Sequence, residues 1–475
     1  MTGSEPGRVY HIIGVGGIGM SAIAEVMHAR GFRVQGSDLK DGANLRRLAE
    51  KGLDVVAGHR PRNLGSATDV VISTAVKAGN PELEEARARG LRVHKRADML
   101  AEIMKSYRTV SITGSHGKTT TTSMTAWIFE HAGYDPTALV GGVIGAWGSN
   151  VRIGRSPWMV VEADESDGTF IRLPTEIGVV TNIDPEHLDY YGSEEKLHDA
   201  FRAFFSGISH HGAIIAGVDH PVVARMIAEA RETGGAAITT FGECEAADIR
   251  VRPVSVRCGN ITIDVEISVR AGGPRRLSGV TLQVPGRHNT LNAAAAIGAA
   301  LRAGIEDDVI VRALRSFTGV DRRFTQTGDW NGVSIYDDYA HHPAEIEAVL
   351  SAARGAASGN VIAVMQPHRF SRLKMLFDDF CGCFANADFV LVAPVYPAGE
   401  APNGVDSSTL VEGIRRKGHE RVFAIEGEDT LAPIIASLAK PGDLVIGLGA
   451  GNITDWARAL PARLQACNPL LGAAE

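Results

Sequence analysis

The sequence predicts an α/β protein with three domains in series. The chain has 475 residues, which at about 150 residues per domain gives room for about three domains. Short apolar stretches alternate with helical patterns along most of the chain, a rhythm typical of right-handed βαβ units and parallel sheets. Two of these apolar stretches run into glycine-rich turns that precede a helix, an arrangement typical of α/β sheets that bind nucleotides.

Composition and charge narrow the class of protein. Hydrophobic residues make up 44% of the chain and charged residues 22%, proportions typical of a folded protein. The 55 acidic residues exceed the 48 basic ones, and the net charge of −7 gives no attraction to nucleic acid or to an anionic membrane. The sequence contains no apolar run of about 18 residues and no apolar signal segment. We therefore expect a soluble cytoplasmic protein without a nucleic-acid partner or membrane insertion, as a monomer or weak homodimer.

The cysteines indicate neither disulfides nor a zinc site. The five cysteines are scattered, and Cys381 and Cys383 are too close together for a C-x-x-C pair. We expect all five to be small buried side chains in a reducing compartment.

The first domain, residues 1–106, is predicted to be a Rossmann-like parallel sheet. We expect a helix over Met20–Ala29 and strands at Val9–Ile13, Phe32–Gly36, Asp54–Ala57 and Asp69–Ser73. The boundary falls near Ser106, where a helix rich in Glu and Lys gives way to a new apolar strand.

The second domain, residues 107–318, is predicted to be a P-loop ATPase-like α/β domain with an antiparallel β insertion. Strands are expected at Thr109–Ile112, Trp158–Glu162 and Ile177–Asn182, and the insertion at residues 248–284. The third domain, residues 319–475, is predicted to be a Rossmann-like α/β domain. Its expected strands are Ser334–Tyr336, Asn360–Met365, Phe389–Ala393, Val422–Ile425 and Asp443–Gly447.

The turn after strand Thr109–Ile112 predicts a binding site for a nucleoside triphosphate. It reads G-x-x-G-K-T from Gly114 to Thr119, shorter than the usual P-loop pattern. Backbone N–H groups at the start of a helix cradle anions, and Lys118 is placed to reach the outer phosphates. Thr119 is placed to bind the Mg²⁺ that bridges those phosphates. The implied cofactors are ATP and Mg²⁺.

The N-terminal turn predicts a second phosphate site. The segment Gly14–Gly19 fits G-x-G-x-x-G, and Asp38 follows about 20 residues later at the end of the second strand. Alone, this pattern suggests NAD and an oxidoreductase. A UDP-sugar satisfies it equally well, because any diphosphate can approach the glycines and any ribose can meet Asp38.

Carboxylates and a histidine follow two further strands of the central domain. Strand Trp158–Glu162 delivers the acidic run Glu162–Asp167 at its carboxyl end, where a carboxylate can hold magnesium. After the next strand, Asp184 is expected to be an N-cap, with Pro185 as the first helical residue. This interpretation places His187 in the first turn of a helix beside the same sheet edge.

Later motifs supply amides, arginines and histidines. Asn289 and Asn292 are three residues apart, so on a helix they share one face and could read an adenine edge. Arg322 and Arg323 suit the charge of a transferring phosphoryl group. The segments 337–343 and 366–372 each follow a predicted strand and could hold a small carboxylate substrate. Helix capping and solvated surface are the alternatives.

Together these motifs resemble the Mur ligase family, the amino-acid-adding enzymes of bacterial peptidoglycan precursor synthesis. The resemblance covers essentially the whole chain and rests on Ile13–Met20, Gly114–Thr120, Glu162–Asp167, Glu186, His187, His288–Asn292, Arg322–Phe324, Asp337–Pro343, Gln366–Arg372 and Tyr396–Glu400. One departure is Ser115, where the family usually has Thr. We expect little effect from it, because this position contributes mainly its backbone.

The resemblance implies a role for each matching residue. The catalytic positions are Lys118, Glu162, His187 and Arg323, and the metal positions are Thr119, Glu162 and His187, with His187 serving a second metal. The ATP-binding positions are Gly114, Ser115, His116, Gly117, Lys118, Thr119, Thr120, Asn289, Asn292, Arg323 and Asp338. The UDP-sugar positions are Gly14, Gly16, Gly17, Ile18, Gly19, Asp38 and Ser73. The amino-acid positions are His368, Arg369 and Arg372.

The implied reaction is ATP-dependent joining of L-alanine to the lactyl carboxylate of UDP-N-acetylmuramate through an acyl phosphate, with release of ADP and phosphate. Three alternatives stay open at this point. They are a sister ligase that attaches a recycled tripeptide to the same sugar, an NAD-dependent oxidoreductase, and a nucleotide-sensing module without enzymatic activity.

Overall fold

The computed structural model describes residues 7–73, 75–257 and 260–467. Its strands are Val9–Ile13 (β1), Arg33–Asp38 (β2), Asp54–Ala57 (β3), Asp69–Ile72 (β4), Arg92–Lys95 (β5), Arg108–Thr113 (β6), Thr137–Ile144 (β7), Ser149–Arg152 (β8), Trp158–Glu162 (β9), Ile177–Val180 (β10), Ala213–Gly217 (β11), Ala237–Gly242 (β12), Ile249–Arg257 (β13), Asn260–Ile267 (β14), Arg275–Leu282 (β15), Thr325–Trp330 (β16), Val333–Asp338 (β17), Val361–Met365 (β18), Phe389–Val392 (β19), Val422–Ala424 (β20) and Leu444–Leu448 (β21).

The helices alternate with these strands. They are Ile18–Ala29 (α1), Ala43–Glu50 (α2), Pro81–Ala88 (α3), Arg96–Met104 (α4), Lys118–His131 (α5), Leu188–Tyr191 (α6), Glu194–Gly207 (α7), Pro221–Thr233 (α8), Arg287–Arg302 (α9), Asp307–Ser316 (α10), Pro343–Ala356 (α11), Phe370–Met375 (α12), Phe377–Gly382 (α13), Ser407–Arg416 (α14), Glu428–Leu438 (α15) and Ile453–Cys467 (α16).

The described chain divides into two compact units. The first contains residues up to Arg252 together with Asp264–Val280 and Leu291–Phe317, and the second contains Pro253–Ile263, Thr281–Thr290 and the chain from Thr318 onward. The domain boundaries predicted at residues 106 and 318 stay predictions. The three-part α/β fold class itself is confirmed by the three sheets.

The first sheet has the order β3-β2-β1-β4-β5, and all of its strands are parallel. All five residues of β1 are buried, as expected for a central strand covered by helices on both faces. The chain reverses its direction across the sheet between β1 and β4, so ligands are expected in the crevice at the carboxyl ends of these two strands. Gly14 and Ser73 lie directly after those strands.

The second sheet has ten strands in the order β15-β14-β13-β12-β11-β10-β6-β9-β7-β8. From β12 to β7 the neighbouring strands are parallel, and β8 pairs antiparallel with β7. Only two residues separate β13 from its neighbour β14, a connection too short for a parallel crossover. The predicted antiparallel insertion is therefore present as an extension of this sheet.

The third sheet has the order β16-β17-β21-β18-β19-β20. Its strands are parallel except β16, which pairs antiparallel with β17 at the sheet edge. The sequence prediction missed β16 because the segment is mostly polar and contains an irregularity between Gln326 and Gly328. Polar, irregular edge strands lack the apolar run that marks a central strand.

The expectation that every cysteine is buried is wrong in part. Cys381 and Cys383 are buried, but Cys244 and Cys467 are exposed. Both exposed residues lie outside the packed sheets, at a loop and at the end of α16. Cys258 lies outside the described residues.

In the part of the chain that the structure describes, no helix is both long enough and apolar enough to traverse a bilayer.

Replacing Phe170 by Ala is expected to destabilise the protein by about 3–5 kcal/mol, because the side chain is fully buried and its removal leaves a cavity. Its ring lies 5.1 Å from that of Phe201 and 5.4 Å from that of Phe204. Chemical denaturation of the full chain measures the loss. The control is Ile171→Ala at the next residue, which is 41% exposed and is expected to change stability by less than about 1 kcal/mol.

Candidate active site

The central glycine turn is held in place by the neighbouring strand end. Gly114 and Gly117 have φ angles of 127° and 81°, which only glycine adopts without strain. A Cβ on Gly114 would lie 2.1 Å from Thr181 Oγ1. The N–H of Ser115 donates to the Asn182 carbonyl at 3.0 Å. The local path of this turn therefore requires glycine and is fixed from the end of β10.

Helix α5 presents its N-terminal N–H groups without a side-chain cap. Its N-cap is Gly117, which carries no side chain to accept from them. The first N–H groups of a helix need partners, and the helix dipole makes an anion a favourable one. The start of α5 is therefore suited to a phosphate.

Lys118, the first residue of α5, is buried among oxygens. Its Nζ donates to the carbonyls of Gly114 at 2.6 Å and Ser115 at 3.1 Å. It also lies 2.7 Å from a Glu165 carboxylate oxygen. Burial alone would lower the pKa of Lys118, but Glu165 and other nearby carboxylates hold it above the ordinary value. The side chain is therefore a cation at the N-terminal end of the helix.

Thr119 and Glu162 are brought together as the sequence suggested. The Thr119 hydroxyl donates to Glu162 Oε1 at 3.2 Å, and the Gly141 N–H donates to Glu162 Oε2 at 2.7 Å. Burial raises the pKa of Glu162. A hydroxyl and a carboxylate on adjacent strand and helix ends form the kind of oxygen set that magnesium prefers.

A second group of possible metal ligands surrounds His187. One ligand atom from each of Glu165, Glu186 and His187 lies within 4.8 Å of the other two, a spacing at which they could hold a metal ion. His187 Nε2 is 3.5 Å from Glu165 Oε1. The sequence analysis named Glu165 only within the run Glu162–Asp167 and Glu186 only among the residues that carry the family resemblance, and it gave neither side chain a role. The sequence did contain a signal for both residues. Each one follows the carboxyl end of a parallel strand, where ligands bind in α/β sheets.

The interpretation of Asp184 as an N-cap is wrong. Helix α6 begins later, at Leu188. The Asp184 carboxylate instead lies 3.2 Å from His116 Nε2 and 3.3 Å from His220 Nε2. Hydrogen bonds from these two imidazoles hold the pKa of Asp184 far below its usual range. These long-range partners hold the residue outside any helix, and His187 precedes α6 with a φ of 57°.

That Ser115 contributes mainly its backbone to the site stays a prediction, but its side chain also has a structural partner. Its hydroxyl accepts from the Asp184 N–H at 2.8 Å and is 3.2 Å from the Asp184 carbonyl, to which it donates. A threonine would keep this hydroxyl, so the family's usual residue could make the same two bonds.

The two asparagines of α9 are buried. The Asn292 side chain accepts from the Thr121 hydroxyl at 3.2 Å. Its Oδ1 would lie 2.3 Å from a Cβ placed on Gly117, so this amide packs directly against the turn before Lys118. Asn289 donates to the Pro285 carbonyl at 2.6 Å at the start of the helix. Contact with adenine stays a prediction for both.

The N-terminal glycine turn has a similar local design. Gly14 has a φ of 78°, and the N–H groups of Gly14 and Val15 donate to the Ser37 carbonyl at 2.8 and 2.9 Å. The Gly16 N–H donates to Asp38 Oδ2 at 2.9 Å. Helix α1 starts at Ile18 without a side-chain cap. Asp38 thus shapes the turn directly, and its contact with a ribose stays a prediction.

Two side chains join this turn to the central sheet, and the sequence analysis named neither. Asn150, which is buried on β8, donates to the Ile18 carbonyl at 3.1 Å. Arg96 lies 3.6 Å from the Asp167 carboxylate, and a Cβ on Gly19 would be 3.5 Å from its Nη1. No sequence pattern identified these residues, because their partners are far away along the chain.

In the second unit, Asp338 organises the segment that carries the two arginines. Its carboxylate accepts from the N–H groups of Phe324 and Ala340, both at 2.7 Å. Burial raises the pKa of Asp338 to about 6. The guanidinium carbons of Arg322 and Arg323 lie 4.7 and 5.3 Å from the ring centre of Tyr339. A nucleotide contact for Asp338 and a phosphate contact for Arg323 stay predictions.

The predicted amino-acid positions lie around a stacked histidine. His368 stacks on Tyr396 with ring centres 5.4 Å apart and planes 8° from parallel. Burial, Arg372 and Arg369 lower the pKa of His368 to about 4, so it is neutral near pH 7. Arg369 has a φ of 71°, and its N–H donates to the Tyr396 carbonyl at 2.9 Å. His341, also neutral because burial lowers its pKa to about 4, has its ring centre 6.0 Å from that of His368.

The fold and the site define an α/β enzyme that handles nucleotide phosphates. Family models match most of the chain. They are the Mur ligase family catalytic domain over residues 9–108, the Mur ligase middle domain over 112–300 and the Mur ligase glutamate ligase domain over 322–451. The chain belongs to the Mur ligase family.

Several individual relatives match this chain over nearly its full length. The UDP-N-acetylmuramate–L-alanine ligase of Methylobacterium sp. (strain 4-46) is 52% identical over 96% of this chain and 97% of its own length. The ligase of the same name from Parvibaculum lavamentivorans is 54% identical over 95% of this chain and 92% of its own. The crystal structure of UDP-N-acetylmuramate-alanine ligase from Thermotoga maritima has a TM-score of 0.81 at 26% identity, covering 97% of this chain and 99% of that one.

A murein peptide ligase from Psychrobacter arcticus shares the fold. Its TM-score is 0.69 at 23% identity, and the match covers 98% of this chain and 100% of that chain.

Replacing Gly117 by Ala is expected to weaken ADP binding by more than about tenfold, because the new Cβ would clash with Asn292 and strain a left-handed residue. Isothermal titration calorimetry with ADP measures the change. The control is Gly133→Ala, which has a similar φ of 75° but no atom within 4 Å of the added Cβ. That variant should lose some stability and keep ADP affinity, and equal affinities in all three proteins would contradict the role given to the Gly117 turn.

Proposed function

We propose that this protein is an ATP-dependent ligase that joins L-alanine to the lactyl carboxylate of UDP-N-acetylmuramate, an amide-forming step of peptidoglycan precursor synthesis. The observation that carries the proposal is the buried Lys118 ammonium at the uncapped start of α5, with Glu162 and Glu165 beside it. Full-length relatives that are named for this reaction, at 52% and 54% identity, support the choice of substrates.

The chemistry explains why cations rather than an enzyme nucleophile fill the site. The lactyl carboxylate attacks the γ-phosphorus of ATP, and ADP leaves as an acyl phosphate forms. The neutral amine of alanine then attacks the acyl carbon, and phosphate leaves as the amide forms. Since the first step brings two anions together, positioning and charge neutralisation carry the rate. Lys118 supplies a fixed positive charge, and by family pattern Arg323 supplies another.

Magnesium fits the donor atoms of the central site. Thr119 and Glu162 would hold one ion, and Glu165, Glu186 and His187 would hold a second. When bound, such ions neutralise phosphate oxygens and orient them for transfer. The carboxylates and the threonine hydroxyl are oxygen donors of the kind that magnesium selects.

The other two substrates are assigned to the remaining sheets. The uncapped start of α1 and the turn from Gly14 to Gly19 suit the diphosphate of the UDP-sugar, with Asp38 and Ser73 at the same sheet edge. In the second unit, Arg369 and Arg372 suit the carboxylate of alanine, and the neutral His368 suits its amine. Because the reaction consumes ATP and a nucleotide-activated sugar, we propose that the protein works in the cytoplasm.

The alternatives receive less support. An NAD-dependent oxidoreductase leaves the Lys118 turn and its carboxylates without a purpose, and the family models do not favour it. The fold does not by itself exclude a tripeptide-attaching ligase, because a murein peptide ligase from Psychrobacter arcticus shares it at 23% identity. The relatives above 50% identity carry the L-alanine name instead.

Phosphate release is expected to require ATP, UDP-N-acetylmuramate and L-alanine together. Replacing L-alanine by L-alanyl-γ-D-glutamyl-meso-diaminopimelate should give little or no turnover. A coupled phosphate assay with each component omitted in turn makes the measurement. Faster turnover with the tripeptide than with L-alanine would assign the protein to the sister activity, and release without an amino acid would overturn the ligase proposal.

Replacing Lys118 by Ala is expected to lower kcat on the order of 10²- to 10³-fold, because the variant loses a buried charge that stabilises the transferring phosphoryl group. The control is Lys105→Ala, since Lys105 is also paired with a glutamate but is 63% exposed and belongs to none of the site motifs. Its kcat should stay within about twofold of the wild type, because exposed ion pairs contribute little. A Lys118→Ala enzyme with wild-type turnover would reject the role assigned to the lysine.

A further inference from the structure

A buried carboxylate connects four segments of the first sheet. Glu82, the second residue of α3, is fully buried. Its Oε2 accepts from His11 Nε2 at 3.1 Å and from the Ser37 hydroxyl at 2.5 Å. Its Oε1 accepts from Asn63 Nδ2 at 2.6 Å and from the Arg60 N–H at 3.1 Å. Every one of these partners is a donor, so the site is built for an ionised carboxylate.

The surrounding contacts fix the proton on His11. The side-chain nitrogen of Gln35 donates to the carbonyls of Asn63 and Leu64 at 2.8 and 3.1 Å, which sets the orientation of that amide. The same nitrogen lies 3.1 Å from His11 Nδ1. Since an amide nitrogen accepts no hydrogen bond, an Nδ1–H would have no acceptor there, so the His11 proton lies on Nε2, facing Glu82.

A second imidazole reaches Glu82 through Ser37. His59 Nδ1 is 2.9 Å from the Ser37 hydroxyl oxygen and 3.4 Å from a Glu82 oxygen. Since the Ser37 hydroxyl gives its hydrogen to Glu82, its oxygen accepts from the Nδ1–H of His59. The order of donation is therefore His59 to Ser37 to Glu82.

Ser37 is also the residue that holds the N-terminal glycine turn. Its carbonyl accepts the N–H groups of Gly14 and Val15, and the next residue, Asp38, accepts the N–H of Gly16. The side chain of Ser37 is thus tied to Glu82 while its backbone and its neighbour set the path of the turn. Any rotation of β2 at Ser37 moves the N–H groups that precede α1.

The Glu82 carboxylate keeps its negative charge although it is buried, which favours a role in positioning the neighbouring segments over a role in stabilising the fold. Burial by itself would raise the pKa of Glu82. The hydrogen bonds from His11, Ser37 and Asn63 together outweigh burial and lower the pKa to about 2. Buried charged groups contribute little to stability compared with well-packed apolar residues, and in some proteins they serve to specify one arrangement of the segments around them. Here the arrangement specified is the end of β2 beside the glycine turn.

We propose that Glu82 is a positioning residue for the UDP-sugar site, acting through Ser37 to hold the turn from Gly14 to Gly16 so that the first N–H groups of α1 face the diphosphate. This inference rests on the proposed function. It assigns Glu82 no contact with the substrate.

The test replaces Glu82 by Gln, which puts an NH₂ group among partners that all donate. At least one hydrogen bond must break, and the KM for UDP-N-acetylmuramate is expected to rise about tenfold or more. The KM for ATP and the kcat at saturating sugar should stay within about twofold. The control is Glu84→Gln on the same helix, where Glu84 is half-exposed and paired with Arg87. This control should match the wild type in all three constants.

A purely structural role gives a different pattern. It would lower the melting temperature and the fraction of active enzyme while leaving both KM values unchanged, and that result would overturn the proposal. If Glu82→Gln does not fold, Ser37→Ala decides, because it removes the hydroxyl and keeps the carbonyl that holds the turn. A wild-type KM for the sugar in Ser37→Ala would then overturn the proposal, and a rise of about threefold or more would support it.

Calorimetry with UDP alone separates this inference from the proposed function. Weaker UDP binding by Glu82→Gln than by the wild type and Glu84→Gln supports the positioning role even if the wild type forms no alanine amide. Equal UDP affinities in the three proteins overturn it. Absence of turnover by the wild type with every substrate present would overturn the proposed function instead.

Discussion

The ion pair between Lys118 and Glu165 is the interaction on which the candidate site depends. A buried ammonium is costly unless anions and hydrogen-bond acceptors surround it, and here two carbonyls and a carboxylate do so. The same carboxylate lies beside His187. One buried pair therefore ties the N-terminal end of α5 to the acidic segment after β9 and to the turn before α6. Three segments at the carboxyl edge of the central sheet meet at this contact.

The two glycine turns have the same local arrangement, although they belong to two different sheets. In each case a parallel strand ends, a glycine with positive φ turns the chain, and a helix begins without a side-chain cap. The difference lies in what supports the turn. The central turn is held by the ends of β10 and by Asn292, whereas the N-terminal turn is held by Ser37 and Asp38 at the end of β2. The first design places a lysine at the start of its helix, and the second places only backbone amides there.

The sequence predicted strands with a continuous apolar run, including the exposed edge strand β3, and missed polar strands at sheet edges. Val9–Ile13, Asp54–Ala57 and Trp158–Glu162 have the predicted bounds. The short polar strand β8 and the irregular β16 were missed, because neither segment has a continuous apolar run. The buried strand β11, Ala213–Gly217, was also missed although its apolar pattern was visible.

Local motifs predicted residues that lie within a few positions of a strand end, such as Lys118, Thr119 and Glu162. They did not predict partners that only the topology brings together. Asp184 bonds to His116 and His220, and Arg96 lies near Asp167. In the first sheet, the network around Glu82 joins β1, β2 and α3 across more than forty residues of sequence. Such contacts have no period or spacing that a single sequence displays.

The neutral imidazoles of the second unit have a consequence for acid tolerance. Burial lowers the pKa values of His288, His341 and His368 from 6.5 to about 4. These three rings therefore bind fewer protons in the folded chain than in the unfolded chain at moderately low pH, and their contribution to stability is lost as the pH falls from about 6.5 toward 4. Between pH 7 and 8 these rings stay uncharged in the folded chain, so their low pKa values do not reduce its stability. Acidification thus opposes the folded form of this unit through histidines that belong to its own interior.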